Sequence, residues 1–249
     1  MKIPFETVGG IILLDVTVNG KSGQMAFDTG AMQTCLNKSY FADAEGSEKQ
    51  VSVFSGELKA ETTVAAKCTI KCREWETADT SVLMLDMDYV EKPLKSLKAD
   101  IRFLGTVGYD VIGSHKVLLD YADTLLTLDE EISGSYDAYD MRTDVLPVID
   151  VDIDDEKYKF VLDTGANTCL LDAVFGAKGF KASDAAPGLV DIPRISALGR
   201  EYSDTAAVIT DISAIKAKVE VSGVIGYQIL KDNVSFFDFA AGDIRIYRS

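Results

Sequence analysis

The sequence is poor in histidine, in positive charge and in long apolar runs. Among its 249 residues there is one histidine, His115, and there are 25 Lys and Arg against 40 Asp and Glu. A single histidine leaves no His-based metal cluster and no usual partner for a Ser or Cys nucleophile. The net charge of −15 argues against nucleic acid and anionic membrane surfaces as partners, and its simplest meaning is solubility. No apolar run reaches the roughly 18 residues of a membrane-spanning helix.

Cysteine is also scarce, and the four cysteines do not form the paired C-x-x-C spacing of a zinc site. We interpret Cys35 and Cys169 as small buried apolar residues rather than nucleophiles. Cys68 and Cys72 are expected to be neighbours in a hairpin, without indicating a disulfide. The first residues lack the basic and apolar segments of a signal peptide. Two expectations therefore stay open, a cytosolic protein or an exported one from which the signal has been removed.

One tripeptide occurs twice, as Asp28-Thr29-Gly30 and Asp163-Thr164-Gly165, 135 residues apart. Each copy follows a short apolar run that has the pattern of a returning hairpin strand. The first hairpin turns at Asn19-Gly20 and the second at Asp154-Asp155, again 135 residues apart. One copy of the tripeptide is common in ordinary turns, but two copies in matching places indicate an internal duplication.

A second repeat lies near the end of each half, at an offset of 118 residues. Gly105-Thr106-Val107-Gly108-Tyr109 matches Gly223-Val224-Ile225-Gly226-Tyr227, and Leu119-Asp120-Tyr121 matches Phe237-Asp238-Phe239. The second half is therefore shorter by 17 residues between its two landmarks, where the first half has a hairpin near residues 51–57. The pattern predicts an all-β fold of two similar barrel-like lobes, residues 1–131 and 144–249, joined by a linker at 132–143 and related by a pseudo-twofold axis.

The repeated tripeptide suits chemistry that needs two carboxylates close together. Like charges at short range cannot both ionise, so such a pair shares one proton. One carboxylate can then act as a base on water while the protonated one donates to a carbonyl. Glycine lets two backbones approach, and buried threonine hydroxyls need hydrogen-bond partners across the seam. The plainer alternative is that both Asp residues are turn residues beside Gly, which two matching copies make much weaker. The acidic turn at 152–156 is better interpreted as solvated than as a cation site.

On these motifs the sequence resembles the aspartic proteases of the retropepsin and pepsin type, most closely a single-chain, two-lobed retropepsin-like form. The resemblance implies an endopeptidase with catalytic Asp28 and Asp163, supported by Thr29, Gly30, Thr164 and Gly165. It implies a reciprocal interlock of the two threonines and a glycine-ending strand behind each catalytic loop. It also implies a peptide or protein substrate lying extended in the cleft, a working monomer, and no metal or organic cofactor.

The sequence departs from the family pattern in three ways. Met32 and Asn167 stand where many members carry a small hydroxyl residue or Asp. The flap regions are unequal: Phe54-Ser55-Gly56-Glu57 is the predicted principal flap, without the Tyr of pepsin-like enzymes. The second half has almost no flap, and residues 185–188 are its only candidate tip. A catalytically weak or inactive peptide-binding module on the same fold therefore stays as an alternative. So does a domain in which the carboxylates serve only folding.

Overall fold

The computed structural model describes residues 1–41, 46–52 and 59–247. The strands before the predicted linker are β1 (Lys2–Pro4), β2 (Glu6–Val8), β3 (Ile11–Val18), β4 (Lys21–Phe27), β5 (Cys35–Asn37), β6 (Gly46–Ser52), β7 (Lys59–Cys72), β8 (Trp75–Leu85), β9 (Phe103–Val107), β10 (Lys116–Asp120) and β11 (Leu125–Leu128). The later strands are β12 (Tyr136–Asp140), β13 (Val148–Ile153), β14 (Glu156–Leu162), β15 (Cys169–Asp172), β16 (Lys181–Ala182), β17 (Val190–Ala197), β18 (Arg200–Thr210), β19 (Gly223–Ile225), β20 (Val234–Asp238) and β21 (Asp243–Tyr247). The α-helices are α1 (Asp88–Leu97), α2 (Tyr109–Ile112), α3 (Ser213–Lys216) and α4 (Tyr227–Leu230), with 3-10 turns at Lys38–Tyr40 and Ala173–Lys178.

Each half forms a closed six-stranded barrel, which confirms the predicted two-lobed all-β fold. The first barrel runs β3-β4-β9-β5-β8-β7 and closes because β3 pairs with both β4 and β7. The second runs β13-β14-β19-β15-β18-β17 and closes through β13 with β14 and β17. Corresponding strands occupy corresponding places, as the two sequence offsets predict. Within the described residues, no helix is both long and apolar enough to cross a membrane.

The turn of the first hairpin in each barrel sets the register of the strand that leads into the Asp-Thr-Gly motif. Asn19 and Gly20 have φ of 46° and 83°, and Asp154 and Asp155 have φ of 52° and 65°. Two-residue hairpin turns need this left-handed backbone, which Asn, Asp and Gly tolerate best. The turns therefore place β4 and β14 in the same register against β3 and β13.

A third sheet joins the two halves in the order β1-β11-β10-β20-β21-β12. Its central junction pairs β10 with β20 antiparallel, so that Val117 lies opposite Phe237. Strand β12 lies inside the predicted linker and forms one edge of this sheet by pairing with β21. Side chains of the joining strands, including Leu119, Phe237 and Ile244, are fully buried in the main core.

The two lobes differ in their second hairpin. Strands β6 and β7 pair from Gly46 with Ala65 to Ser52 with Lys59, whereas β16 pairs with β17 over two residues only. The predicted flap, Phe54-Ser55-Gly56-Glu57, lies outside the described residues. The candidate second tip at 185–188 lies in the β16–β17 connection, which a Ser183 N–H to Leu189 carbonyl bond of 2.9 Å closes.

Helix α1 begins three residues before the segment that the sequence favours as a surface loop or short helix, and its Glu91 side chain is buried. The sequence favours a surface loop or short helix over 91–99, but Asp88–Leu97 is helical with Pro93 inside it. Glu91 is 5% exposed and accepts hydrogen bonds from Asn37 (2.9 Å) and the Tyr40 hydroxyl, and its carboxylate pairs with Lys95 at 2.6 Å. This buried contact attaches α1 to the barrel and offsets the helix bond that proline cannot make.

Candidate active site

Asp28 and Asp163 lie directly after β4 and β14, at matching positions in the two barrels. Each of these strands pairs in parallel with the strand predicted to run behind the loop, β9 in the first lobe and β19 in the second. The Asp28 N–H donates to the Val107 carbonyl at 3.1 Å, and the Asp163 N–H donates to the Ile225 carbonyl at 2.8 Å. The backbone of both carboxylates is therefore fixed by the same contact.

Glycine is required where the loops meet the strand behind them. A Cβ atom on Gly226 would overlap the carbonyl oxygens of Asp163 and Ala166, and one on Gly108 would lie 2.6 Å from the Gln33 backbone. Only a residue without Cβ permits this approach. Helices α2 and α4 follow these glycines and extend the contact. The Tyr109 N–H donates to the Ala31 carbonyl at 2.7 Å, and the Tyr227 N–H donates to the Ala166 carbonyl at 2.9 Å.

Thr29 and Thr164 form a reciprocal hydrogen-bonded interlock between the halves. The Thr29 hydroxyl donates to the Leu162 carbonyl at 2.7 Å, and the Thr164 hydroxyl donates to the Phe27 carbonyl at 2.7 Å. Each hydroxyl also accepts from the other threonine's backbone N–H at 3.1 Å. Both side chains are almost completely buried, at 1% and 0% exposed. Four hydrogen bonds across the seam thereby satisfy six buried polar groups.

This interlock brings the two carboxyl groups together. Asp28 and Asp163 are hydrogen-bonded through their side chains. A Cβ on Gly30 would overlap the Asp163 carboxyl, and one on Gly165 would overlap that of Asp28. Both Asp side chains are partly accessible to solvent. The six tripeptide residues predicted from the sequence thus converge on one point of the molecule.

The surroundings of the pair favour one shared proton. Burial raises the pKa of both carboxyls. The pKa of Asp163 rises well above its usual range, because the charge of Asp28 and the hydrogen bond to Asp28 add to the effect of burial. For Asp28, hydrogen bonds from Asp163 and from the Ala31 and Gly30 amides oppose the effect of burial on its pKa. The pair therefore holds one proton at pH values at which an isolated aspartate is ionised.

The hydrogen bonds around the two carboxylates are not equivalent. Asp28 Oδ1 accepts from the Gly30 and Ala31 amides at 2.9 and 2.8 Å. Asp163 Oδ1 accepts from the Gly165 amide at 2.7 Å, but the Ala166 amide donates instead to the Asp163 backbone carbonyl at 3.2 Å. The Gly30 amide also lowers the pKa of Asp163, so two loop amides act on each carboxyl.

The turn after each tripeptide is held by a residue that sequence reasoning missed. Asp110 accepts from the N–H and hydroxyl of Thr34 at 2.8 and 2.7 Å. Its counterpart at offset 118 is Gln228, which accepts from the Cys169 N–H at 2.9 Å. Overlaying the halves at that offset would have paired these two residues. The residue that holds this turn is thus a carboxylic acid in the first lobe, Asp110, and a neutral amide in the second, Gln228.

The phenol of Tyr89 in α1 lies within electrostatic range of Asp28. Met32 is 42% exposed four residues after Asp28, and Tyr89 of α1 is 36% exposed. Burial raises the pKa of Tyr89 to about 12, and the negative charge of Asp28 contributes to the increase. Burial also raises the pKa values of the Cys35 and Cys169 thiols to about 12. These thiols are protonated at neutral pH, which agrees with their interpretation as small buried residues.

Of the remaining sequence candidates, Cys35 lies near Asp28, whose charge contributes to raising the pKa of its thiol. All four cysteines are free and buried. The His115 ring accepts from Trp75 Nε1 at 3.2 Å and lies 2.7 Å from Asp129 Oδ2. In the acidic turn, Asp155 pairs with Arg194 at 2.5 Å. No three His, Cys, Asp or Glu side chains of the described residues are grouped as metal ligands.

A scan against protein-family models and a search of curated proteins each found no match to this chain.

Proposed function

We propose that the protein is an aspartic endopeptidase in which Asp28 and Asp163 activate a water molecule. The observation that supports this most strongly is the hydrogen-bonded carboxyl pair at the seam of two similar barrels. The raised pKa of Asp163 keeps one proton on the pair at mildly acidic pH. The resemblance of both tripeptides to those of retropepsin-like proteases supports the same assignment.

We assign the proton of the resting pair to Asp163, because the charge of Asp28 adds to the effect of burial in raising its pKa. Asp28, ionised and supported by two amides, takes a proton from the attacking water. Asp163 gives its proton to the oxygen of the scissile carbonyl, so that water addition yields a neutral diol. The C–N bond then breaks as Asp28 passes its proton to the leaving nitrogen and a diol hydroxyl returns one to Asp163. The pair ends each cycle in its starting protonation state.

The decisive experiment is cleavage of an unfolded protein across pH values from about 3 to 7, a window that brackets ordinary carboxyl titrations. We expect activity on the acidic side, inhibition by a pepstatin-type compound, and loss of activity in Asp28→Asn and Asp163→Asn. Loss of acid–base chemistry typically costs about 10²–10⁴-fold, and loss of the base for water should cost more. The exposed variant Asp123→Asn serves as the matched control and should cleave normally. If the wild type cleaves at no pH in the window, the proposal fails.

One observation favours a second candidate, a catalytically weak peptide-binding module. The second lobe's β16–β17 hairpin pairs over only two residues, so this lobe has little with which to cover a bound peptide. Lids exclude water and complete many active sites. This candidate predicts an inert wild type whose Asp→Asn variants still bind extended peptides, which titration calorimetry would measure.

A further inference from the structure

The one histidine and the one tryptophan of the chain are in contact with each other. Trp75 begins β8 and is 4% exposed, and its indole Nε1 lies 3.2 Å from Nε2 of His115. The two rings meet edge-to-face with centroids 6.2 Å apart. His115 directly precedes β10, and its backbone N–H donates to the Ile112 carbonyl at 3.0 Å. The contact therefore joins the β7–β8 hairpin of the first barrel to the start of a strand in the joining sheet.

The chemistry of the two partners determines which ring nitrogen of His115 carries the hydrogen. An indole N–H can only donate, so Nε2 must be the acceptor and carries no hydrogen. The hydrogen of the neutral ring is therefore on Nδ1, which donates to Asp129 Oδ2 at 2.7 Å. The hydrogen bond from Trp75 thus exists only while the ring is neutral. The His115 side chain is 21% exposed, so solvent reaches the ring.

Asp129 holds the His115 ring in both of its charge states. The Asp129 backbone N–H donates to the Lys116 carbonyl at 2.9 Å, and its Oδ1 accepts from the Lys116 N–H at 3.0 Å. Because Nδ1–H donates to Oδ2 whether or not Nε2 is protonated, a second proton changes only the side of the ring that faces Trp75. Two N–H donors then point at each other, and repulsion replaces the hydrogen bond.

The two contacts of the ring favour opposite charge states. The carboxylate of Asp129 favours the imidazolium, whereas the donor of Trp75 favours the neutral ring. The other charged side chains on the surrounding elements are paired, Lys116 with Glu131 and Asp238, and Lys71 with Glu76, each at 2.9 Å. Arg73 and Glu74, in the turn before Trp75, are exposed to solvent.

We propose that His115 is a pH-sensitive switch: the neutral ring joins Trp75 to the start of β10, and the protonated ring separates from Trp75. Histidine is the side chain that ordinarily changes charge between about pH 5 and 8. The switch does not depend on the proposed function, but it lies beside parts of the candidate site. Strand β7 begins at Lys59, two residues after the predicted flap, and helix α2, which ends at Ile112, contacts the first catalytic loop through Tyr109.

The test is a ¹⁵N NMR titration of the wild-type protein from about pH 8 to 5, the range in which histidine ordinarily titrates. The chain gives one indole N–H signal and one pair of imidazole nitrogens, so neither needs to be assigned by mutation. At pH 8 we expect the ring hydrogen on Nδ1 and an unprotonated Nε2. On acidification we expect the indole signal to move with the same midpoint as the ring nitrogens.

His115→Gln is the matched control, because its amide oxygen offers Trp75 an acceptor that does not titrate. The indole signal of this variant should stay constant over the same pH range. At pH 5 the indole hydrogen of the wild type should exchange with solvent about fivefold faster than that of the variant, as the loss of one hydrogen bond predicts.

Three results in the wild type would each overturn the inference: a ring hydrogen on Nε2 at pH 8, a ring that stays neutral down to pH 5, or an indole signal that does not follow the ring. An indole signal that still titrates in folded His115→Gln would assign the change to another group and would also overturn it. The wild-type spectra decide the matter even where the variant does not fold.

Discussion

At the residue scale, the site depends on groups that are paired across the seam rather than within one half. Each threonine hydroxyl supports the backbone of the opposite loop, and each carboxyl faces the glycine of the opposite tripeptide. A substitution in one tripeptide therefore alters the contacts of the other. Two predictions belong to this scale.

The first concerns the proton on Asp163. Between the ordinary carboxyl pKa and the raised pKa of Asp163, the folded protein holds a proton that the unfolded chain has released. The free energy of unfolding therefore falls as pH rises through this window. Asp163→Asn removes the effect, so its melting temperature should equal or exceed that of wild type at pH about 7, and the difference should vanish below the ordinary carboxyl pKa of about 4.

Thermal unfolding measured at a series of pH values checks this prediction. Asp123→Asn, an exposed change of the same kind, should follow the wild-type curve. A neutral-pH melting temperature for Asp163→Asn clearly below that of wild type would show that the ionised carboxyl contributes net stability.

The second prediction concerns the interlock. Thr29→Val keeps the shape of the side chain but leaves the Leu162 carbonyl and the Thr164 amide without their buried partner. Unsatisfied buried groups cost about 1–3 kcal/mol each, so we expect the free energy of unfolding to fall by about 2–4 kcal/mol. Denaturant titration measures this loss. Thr29→Ser retains the hydroxyl and should recover most of it, and equal losses in the two variants would indicate a packing effect instead.

At the scale of elements, the lobes hold equivalent helices with opposite arrangements of charge. In the first lobe a buried carboxylate on α1, Glu91, meets Asn37 at the end of β5. In the second lobe the carboxylate is on the strand, where Asp172 of β15 pairs with Lys216 of α3 at 2.9 Å. Both lobes therefore have a polar contact between a strand, β5 or β15, and the helix, but the carboxylate is on the helix in the first lobe and on the strand in the second.

Glu91→Ala should destabilise the first lobe. It would leave the buried Asn37 amide, the Tyr40 hydroxyl and Lys95 without their shared acceptor. Loss of a buried charged partner typically costs about 3–5 kcal/mol, and partial access to water at Lys95 places the expected loss near 3 kcal/mol. Urea unfolding measures it, with the exposed Glu74→Ala as control. A loss no greater than that of the control would mean that α1 does not depend on this contact.

The same contact should depend on pH. Burial alone would raise the pKa of Glu91, but hydrogen bonds from Lys95, Tyr40 and Asn37 more than offset this and lower it. The stabilisation is therefore complete above the ordinary carboxyl pKa and is lost as pH falls through the lowered one. Acid should thus weaken α1 while it preserves the proton on Asp163.

Sequence patterns predicted the elements near the tripeptides far better than those between them. The constant 135-residue offset and turn residues such as Asn19 and Asp154 are local sequence signals. The hairpins and the two matching Asp-Thr-Gly loops could therefore be predicted from the sequence. Helix α1 did not, because Pro93 disfavours a helix and the partners that bury Glu91 lie more than fifty residues away in the chain. Tyr121 was aligned with Phe239 by the repeat, but only packing shows that its hydroxyl is buried without a partner among the described residues.

At the scale of the whole molecule, one chain contains both halves of the site and a sheet that joins them. A homodimer is therefore unnecessary for bringing two tripeptides together. We expect specific activity to stay constant over roughly a hundredfold dilution, because no association equilibrium is involved. Activity assays alongside sedimentation measurements at the same concentrations check this. A fall in activity that follows dissociation of a dimer would contradict it.

The hydrogen bonds between Thr29 and Thr164 join residues 135 positions apart. Contacts of such long range carry a loop-closure cost that must be met before they are gained. Until then each carboxyl is a single, hydrated group that titrates like any other aspartate. A nascent chain that has folded only its first barrel carries Asp28 without a neighbour to share a proton, so the carboxyl pair exists only once both halves have folded.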